Sequence, residues 1–309
     1  MERFDCLAEG LGFPEGPVVM PDGSVILCEI AAGCLTRIAP GKPARTLAQT
    51  GGGPNGAALG TDGALYVCNN GGFTWIRDDI LKPEGKSPEN TGGSIQKVDP
   101  ETGRVETLYN ACGSIPLNAP NDIVCDGRGG FWFTDHGHRQ GRRVDFGAVY
   151  YAREDGSEIR EVAYPLIGPN GIGLSPDGAT LHVAETSSGR IWSWPILGPG
   201  RLQKADWPSP TGGDLTSALP FFARYDSLAI EACGNIAVAT LRLGGINVIA
   251  PSGQLIERIA TDDPYTTNIA FGGPDLRTAF ITLSGTGRLV RTAWARPGLP
   301  LHGPQGEDR

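Results

Sequence analysis

Six loose copies of one short pattern run along this chain, and the pattern restricts the fold more than any other feature does. The clearest copy spans residues 168–178, GPNGIGLSPDG. A polar residue, Asn170, stands before Gly171-Ile172-Gly173-Leu174, whose glycines suit close approach to another backbone or a crowded core. Ser175-Pro176-Asp177-Gly178 follows as a β-turn, with proline presetting one dihedral and glycine supplying a positive φ. Residues 180–184 then read as a second strand. The other copies are entered at Glu15, Asn55, Asn121, Asp226 and Asn268, so that successive entrance residues lie 40, 66, 49, 56 and 42 positions apart. Such spacings match one four-stranded propeller blade of roughly 40–50 residues, lengthened where loops are inserted. The pattern therefore predicts an all-β chain: a six-bladed β-propeller with four-stranded antiparallel blades around a central channel.

A length of 309 residues with 39% hydrophobic content is enough for one large core, and a single propeller domain is expected over residues 1–296. The 46 glycines and 25 prolines fit many short strands joined by turns. Residues 3–7 precede the first copy, and an outer strand there would close the ring on the sixth blade. Residues 297–309 read as a flexible tail. Three stretches break the strand rhythm, residues 71–93, 134–143 and 199–222, and these are expected to define a pocket.

A formal charge of −8, with no basic cluster to offset it, argues against nucleic acid or an anionic membrane as partner. No run approaches the ~20 apolar residues of a membrane helix. The seven cysteines are odd in number and form no CxxC pair, and no apolar signal segment opens the chain. A reducing cytoplasm is the expected setting, with the cysteines acting mostly as small buried hydrophobes.

In a propeller the first strand of each blade lines the axis, so the entrance residues converge at one mouth of the channel. Glu15, Asp226 and the four asparagines all offer oxygen, which suits a hard divalent cation such as calcium, magnesium or manganese. Each asparagine taken alone reads more readily as a cap on local backbone. The two carboxylates shift that balance, because at a ring centre they would repel and lose solvation unless a cation lay between them. Asp135-His136-Gly137-His138 resembles a fragment of a zinc site, but few histidines remain to complete it, and His182 lies in a strand as core. His136 and His138 are instead expected to contact substrate from the rim. There is no Gly-x-Ser-x-Gly elbow, and Gly85-Lys86-Ser87 lacks the upstream glycine of a phosphate loop. Trp132, Trp192 and Trp194 follow the strand period and read as blade core.

Phe13-Pro14-Glu15-Gly16-Pro17, Pro120-Asn121-Asp122, Pro169-Asn170-Gly171-Ile172 and Tyr225-Asp226-Ser227 occur in that order along residues 13–290. Together they resemble the gluconolactonase, regucalcin and luciferin-regenerating enzyme family of six-bladed propellers. The resemblance implies one divalent metal held by Glu15, Asn121, Asn170 and Asp226, with calcium first and magnesium, manganese, zinc or iron as alternatives. Asn55 and Asn268 would then face substrate or stand behind the metal. It also implies a small-molecule lactone substrate, opened by metal-assisted attack of water, with Asp226 as general base and Glu15 balancing charge. Two other readings of the same architecture stay open: hydrolysis of an organophosphate triester, and a non-catalytic calcium-binding or protein-interaction propeller. Relatives acting on sugar lactones often carry an arginine two residues before the equivalent of Asn121, where this chain has Ala119. Arg139, Arg142, Arg143 and Arg224 are the candidates to replace that cation.

Overall fold

The computed structural model describes residues 4–301. Its strands form six main antiparallel sheets, and each begins with the strand that carries an entrance residue: Pro14–Val19, Pro54–Leu59, Pro120–Cys125, Pro169–Leu174, Arg224–Ile230 and Thr266–Gly272. These inner strands stand side by side around an axis, and the later strands of each sheet step outward, which makes the chain a six-bladed β-propeller. Asp5–Ala8 pairs with Arg288–Ala293 as the outermost strand of blade 6, so the two ends of the chain complete one sheet and close the ring.

Large side chains pack between neighbouring blades. Trp132 and Tyr151 of blade 3 meet Leu181, Trp192 and Trp194 of blade 4, all of them buried. His182 is buried in the same blade 4 strand, Thr180–Glu185, as expected of a core position. The segment following Arg288–Ala293 does not leave the body at once. Pro297 O accepts from Ala232 N, Gly298 N donates to Leu276 O and Leu299 N donates to Ile230 O. Leu299, Pro300 and Leu301 then line a small apolar cavity of ≈ 90 Å³ at the far end of the channel. The expected tail is thus bonded to the propeller through Leu299, and residues 302–309 lie outside the described residues.

Strand direction decides which connections reach the entrance residues. Each inner strand starts at the site end, so the first-to-second and third-to-fourth turns fall on the opposite face, while second-to-third connections return to the site. The Pro-Asp-Gly and Thr-Asp-Gly turns at residues 21–23, 61–63 and 176–178 belong to the opposite face. Residues 71–93 and 134–143 belong to the site face and are not open loops: they carry the hairpins Phe73–Arg77 with Leu81–Lys86 and Arg139–Gln140 with Arg143–Val144. Residues 199–222 follow the third strand of blade 4 and include its fourth, Asp214–Ala218. They start on the opposite face, fold back outside the blade as Arg201–Leu202 and Asp214–Ala218, and supply nothing to the site cavity, contrary to expectation.

A bulge marks the entrance of every inner strand. The register breaks between Glu15 and Val18, Pro54 and Ala57, Pro120 and Ile123, Pro169 and Ile172, Tyr225 and Leu228, and Thr266 and Asn268. A bulge bends the strand and re-aims the side chain at the extra residue, here toward the axis. The glycine after the entrance residue admits the next blade. A Cβ on Gly56 would stand 2.6 Å from Asn121 O, and one on Gly171 2.6 Å from Asp226 O. Gly173 is different, because its Cβ would meet only side chains, Leu228 Cδ1 at 2.8 Å and Ile230 Cγ1 at 3.0 Å. Gly171→Ala is therefore expected to cost about 1–3 kcal/mol by overpacking against backbone, and Gly173→Ala less, because those side chains can move aside. Urea denaturation of both variants checks this, and equal midpoints would contradict it.

Candidate metal centre and active-site cavity

The inner strands open into a cavity of ≈ 500 Å³ walled by Glu15, Asn55, Asn121, Asn170 and Asp226, together with His136 and His138 from the blade 3 connection. The structure thus gathers five of the six entrance residues. Asn268 is not in that wall. Its Nδ2 donates to Glu15 Oε2 at 2.7 Å and its Oδ1 accepts from Ile269 N at 2.7 Å, so it stands behind Glu15 and orients it.

Burial sets the electrostatics. Removal from water pushes the Asp226 carboxyl well above the usual carboxylate range, and the charge of Glu15 pushes it further; Asn170 and Arg224 offset this only in part. Glu15 is raised for the same first reason, against hydrogen bonds from Asn268 and from Gly16 N, the latter 2.7 Å long. A third carboxyl, Asp122, lies deeper in the channel, where burial and then Glu15 raise it to about 8. Its Oδ1 accepts from Ile123 N at 3.0 Å and its Oδ2 from Ile172 N at 3.3 Å, which ties blade 3 to blade 4. In the sequence Asp122 stands only as the last residue of the Pro120-Asn121-Asp122 motif, and its adjacency to Asn121 is the available signal.

The amide oxygens complete the set. Asn170 donates Nδ2 to Thr186 Oγ1 at 3.1 Å and accepts at Oδ1 from Ser227 Oγ at 3.4 Å. Asn121 Oδ1 is buried and accepts no hydrogen bond among the described residues. Such an orphan costs about 1–3 kcal/mol unless a ligand satisfies it. Two buried carboxyls, one of them raised further by the charge of the other, and a stranded amide oxygen on the same wall fit a hard divalent cation, whose charge would resolve both defects.

The Asp135-His136-Gly137-His138 run divides its duties. Asp135 accepts from Asn118 N at 2.7 Å and Ala119 N at 2.8 Å, which makes it a backbone tie. Burial lowers His136 and takes His138 down to about 4, so both rings are neutral near pH 7 and can hydrogen-bond a substrate. His138 Nε2 is buried without a partner among the described residues, and so is Asn70 Nδ2 on the same cavity wall, a residue the sequence does not single out. Ala119 also lines the cavity, and the cations around it come from Arg139, Arg224 and Arg242; Arg142 and Arg143 are not in the wall.

Six blades around an axis whose mouth gathers two carboxylates and amide oxygens define a six-bladed propeller with an oxygen-lined axial cavity. The SMP-30/Gluconolactonase/LRE-like region matches residues 13–285, and the chain belongs to that family. It is 28% identical over 248 residues to a lactonase, Drp35, of Staphylococcus saprophyticus, covering 79% of this chain and 68% of the relative. It is 22% identical to a gluconolactonase of Zymomonas mobilis, covering 94% of this chain and 81% of that one. Among solved structures, a calcium-binding protein, regucalcin, from Agrobacterium tumefaciens shares the fold with a TM-score of 0.72 at 18% identity, covering 98% of this chain and 97% of the other.

A pH test follows from the raised carboxyls. A carboxyl whose pKa rises on folding keeps its proton in the folded chain after the unfolded chain has lost it, so stability falls as pH rises toward the folded value. Asp122 makes that loss up to about 8, and Glu15 and Asp226 shift in the same direction. A cation held by Glu15 and Asp226 displaces their protons and removes their share of the loss. Melting temperatures measured with calcium and with a chelator are therefore expected to diverge progressively as pH rises above the ordinary carboxylate range of about 4. A constant or narrowing gap would mean that these carboxylates do not hold the ion.

Proposed function

We propose that this chain is a metal-dependent lactonase, with Glu15, Asn121, Asn170 and Asp226 holding one divalent cation, calcium first, at the floor of the cavity. The observation that carries the reading is Asn121 Oδ1, unsatisfied among the described residues, on one wall with two buried carboxyls whose pKa values burial raises, on a chain whose relatives include lactonases. When bound, such a cation supplies Lewis acidity at the ring carbonyl and balances the charge that develops there. The residues of the chain do the rest. Asp226, with Arg224 favouring its charged form, takes a proton from water as the water oxygen bonds to the carbonyl carbon. That proton passes to the ring oxygen as the ring C–O bond breaks, and a hydroxy acid leaves. Glu15, steadied by Asn268, balances charge. Neutral His136 and His138, with Asn55, offer hydrogen bonds to the lactone's polar groups. All seven cysteines are free, which fits a reducing compartment, and we assign the cytoplasm as the setting.

The test is an assay of chelator-stripped and calcium-loaded protein against a panel of lactones and phosphotriesters. Lactones are expected to turn over faster with calcium, and Asp226→Asn is expected to lower kcat by roughly 10²–10⁴-fold, the usual worth of a general base. Turnover that ignores metal, or that survives Asp226→Asn, would sink the mechanism. A preference for phosphotriesters would redirect the substrate class while leaving the metal site standing.

A further inference from the structure

The cavity wall carries more positive charge than a neutral ligand requires. Arg139, Arg224 and Arg242 all line it, and none of them lies within ion-pair distance of a carboxylate among the described residues. Glu84, on the blade 2 hairpin, is the one exposed acid in the wall. Arg224 and Arg242 stand together over blade 5. Arg224 opens the inner strand and pairs in register with Leu241, the residue before Arg242. Arg242 adopts a φ of 70°, a left-handed conformation that is strained for a side-chain-bearing residue. Its N–H donates to Pro264 O at 2.6 Å, and its guanidinium lies 5.1 Å from the centre of the Tyr265 ring, which is itself part of the wall. The packing holds a strained backbone in place, and the result is a second cation on the blade 5 side of the wall. Across the cavity, the unpartnered Asn70 Nδ2 and His138 Nε2 are neutral groups suited to hydroxyls.

We propose that Arg224 and Arg242 form a subsite for an anionic group on the substrate, so that the preferred lactone carries a carboxylate, sulfonate or phosphate away from its ring carbonyl. The proposal rests on the lactonase reading for the ring-opening step, and its own ground is the unpaired arginine pair. Guanidinium groups match an oxyanion with paired charge-assisted hydrogen bonds, and stacking on Tyr265 orders one of them before the ligand arrives.

Two six-carbon lactones that differ in the terminal group provide the test: glucono-1,4-lactone ends in a hydroxymethyl, glucaro-1,4-lactone in a carboxylate. The calcium-loaded protein is expected to favour the acidic lactone in kcat/KM by at least about tenfold. Arg224→Gln and Arg242→Gln should each shrink that ratio, mainly through the KM of the acidic lactone, and the double variant should bring it near one. Equal use of the two lactones by the unsubstituted protein would overturn the proposal. So would variants that slow both lactones by the same factor, since Arg224 would then act on Asp226 alone. If neither lactone is opened, the lactonase reading fails separately, and calorimetry with glucarate still decides the subsite. Affinity for glucarate that drops about tenfold or more in the folded double variant supports it, and unchanged affinity overturns it.

Discussion

The hydrogen bond from Asn268 Nδ2 to Glu15 Oε2 covers 2.7 Å in space and 253 positions in sequence. It lies where blade 6 meets blade 1, and the outer edge of the same blade is completed by Asp5–Ala8 on Arg288–Ala293. Thr267 Oγ1 also donates to Pro14 O at 3.4 Å across this seam. Everything at the axis depends on that closure. In an open ring Glu15 would stand on a free edge, and sheet twist would leave its distance from Asp226 undefined. Closed, the ring sets Glu15 opposite blades 3 to 5 with no covalent cross-link, and the position of each donor follows from the blade that carries it.

Charge explains the composition of the entrance positions. Burial raises each carboxyl placed in the channel, Asp122, Glu15 and Asp226 alike, and the charge of Glu15 raises Asp122 and Asp226 further. A doubly charged cation matches two of them. Asparagine extends the oxygen set without adding to the repulsion, and four of the six entrance residues are asparagines. Asp122, deeper in the channel and hydrogen-bonded to backbone N–H of its own and the next blade, keeps its proton near neutrality and serves as a structural tie.

The architecture and the convergence of the entrance residues were legible because one pattern, repeated with its proline, polar residue and glycine, leaves few folds that could use it. What escaped reading has identifiable physical causes. In a regular strand successive residues point to opposite faces, which would send Asp122 away from the axis if Asn121 points toward it. The bulge between Pro120 and Ile123 breaks that alternation and brings both inward. Asn268 carries the same residue type as Asn121, yet its amide is taken by Glu15 and by Ile269 N, and only a closed ring reveals that partner. Residues 199–222 were expected at the pocket because they are long and irregular, whereas the up-and-down order of the strands sends a third-to-fourth connection to the other face. Arg242 leaves no mark in the sequence, because a left-handed φ at a non-glycine residue is imposed by its surroundings.

The separation of the two faces bears on how the molecule could be attached to something else. Residues 199–213 project from the turn face and the flank of blade 4, and Trp207 in their midst is 88% exposed. An affinity handle or surface tether grafted there would anchor every copy with the cavity turned outward, because the blade order that sends this excursion away from the axis also fixes the orientation of an immobilised layer.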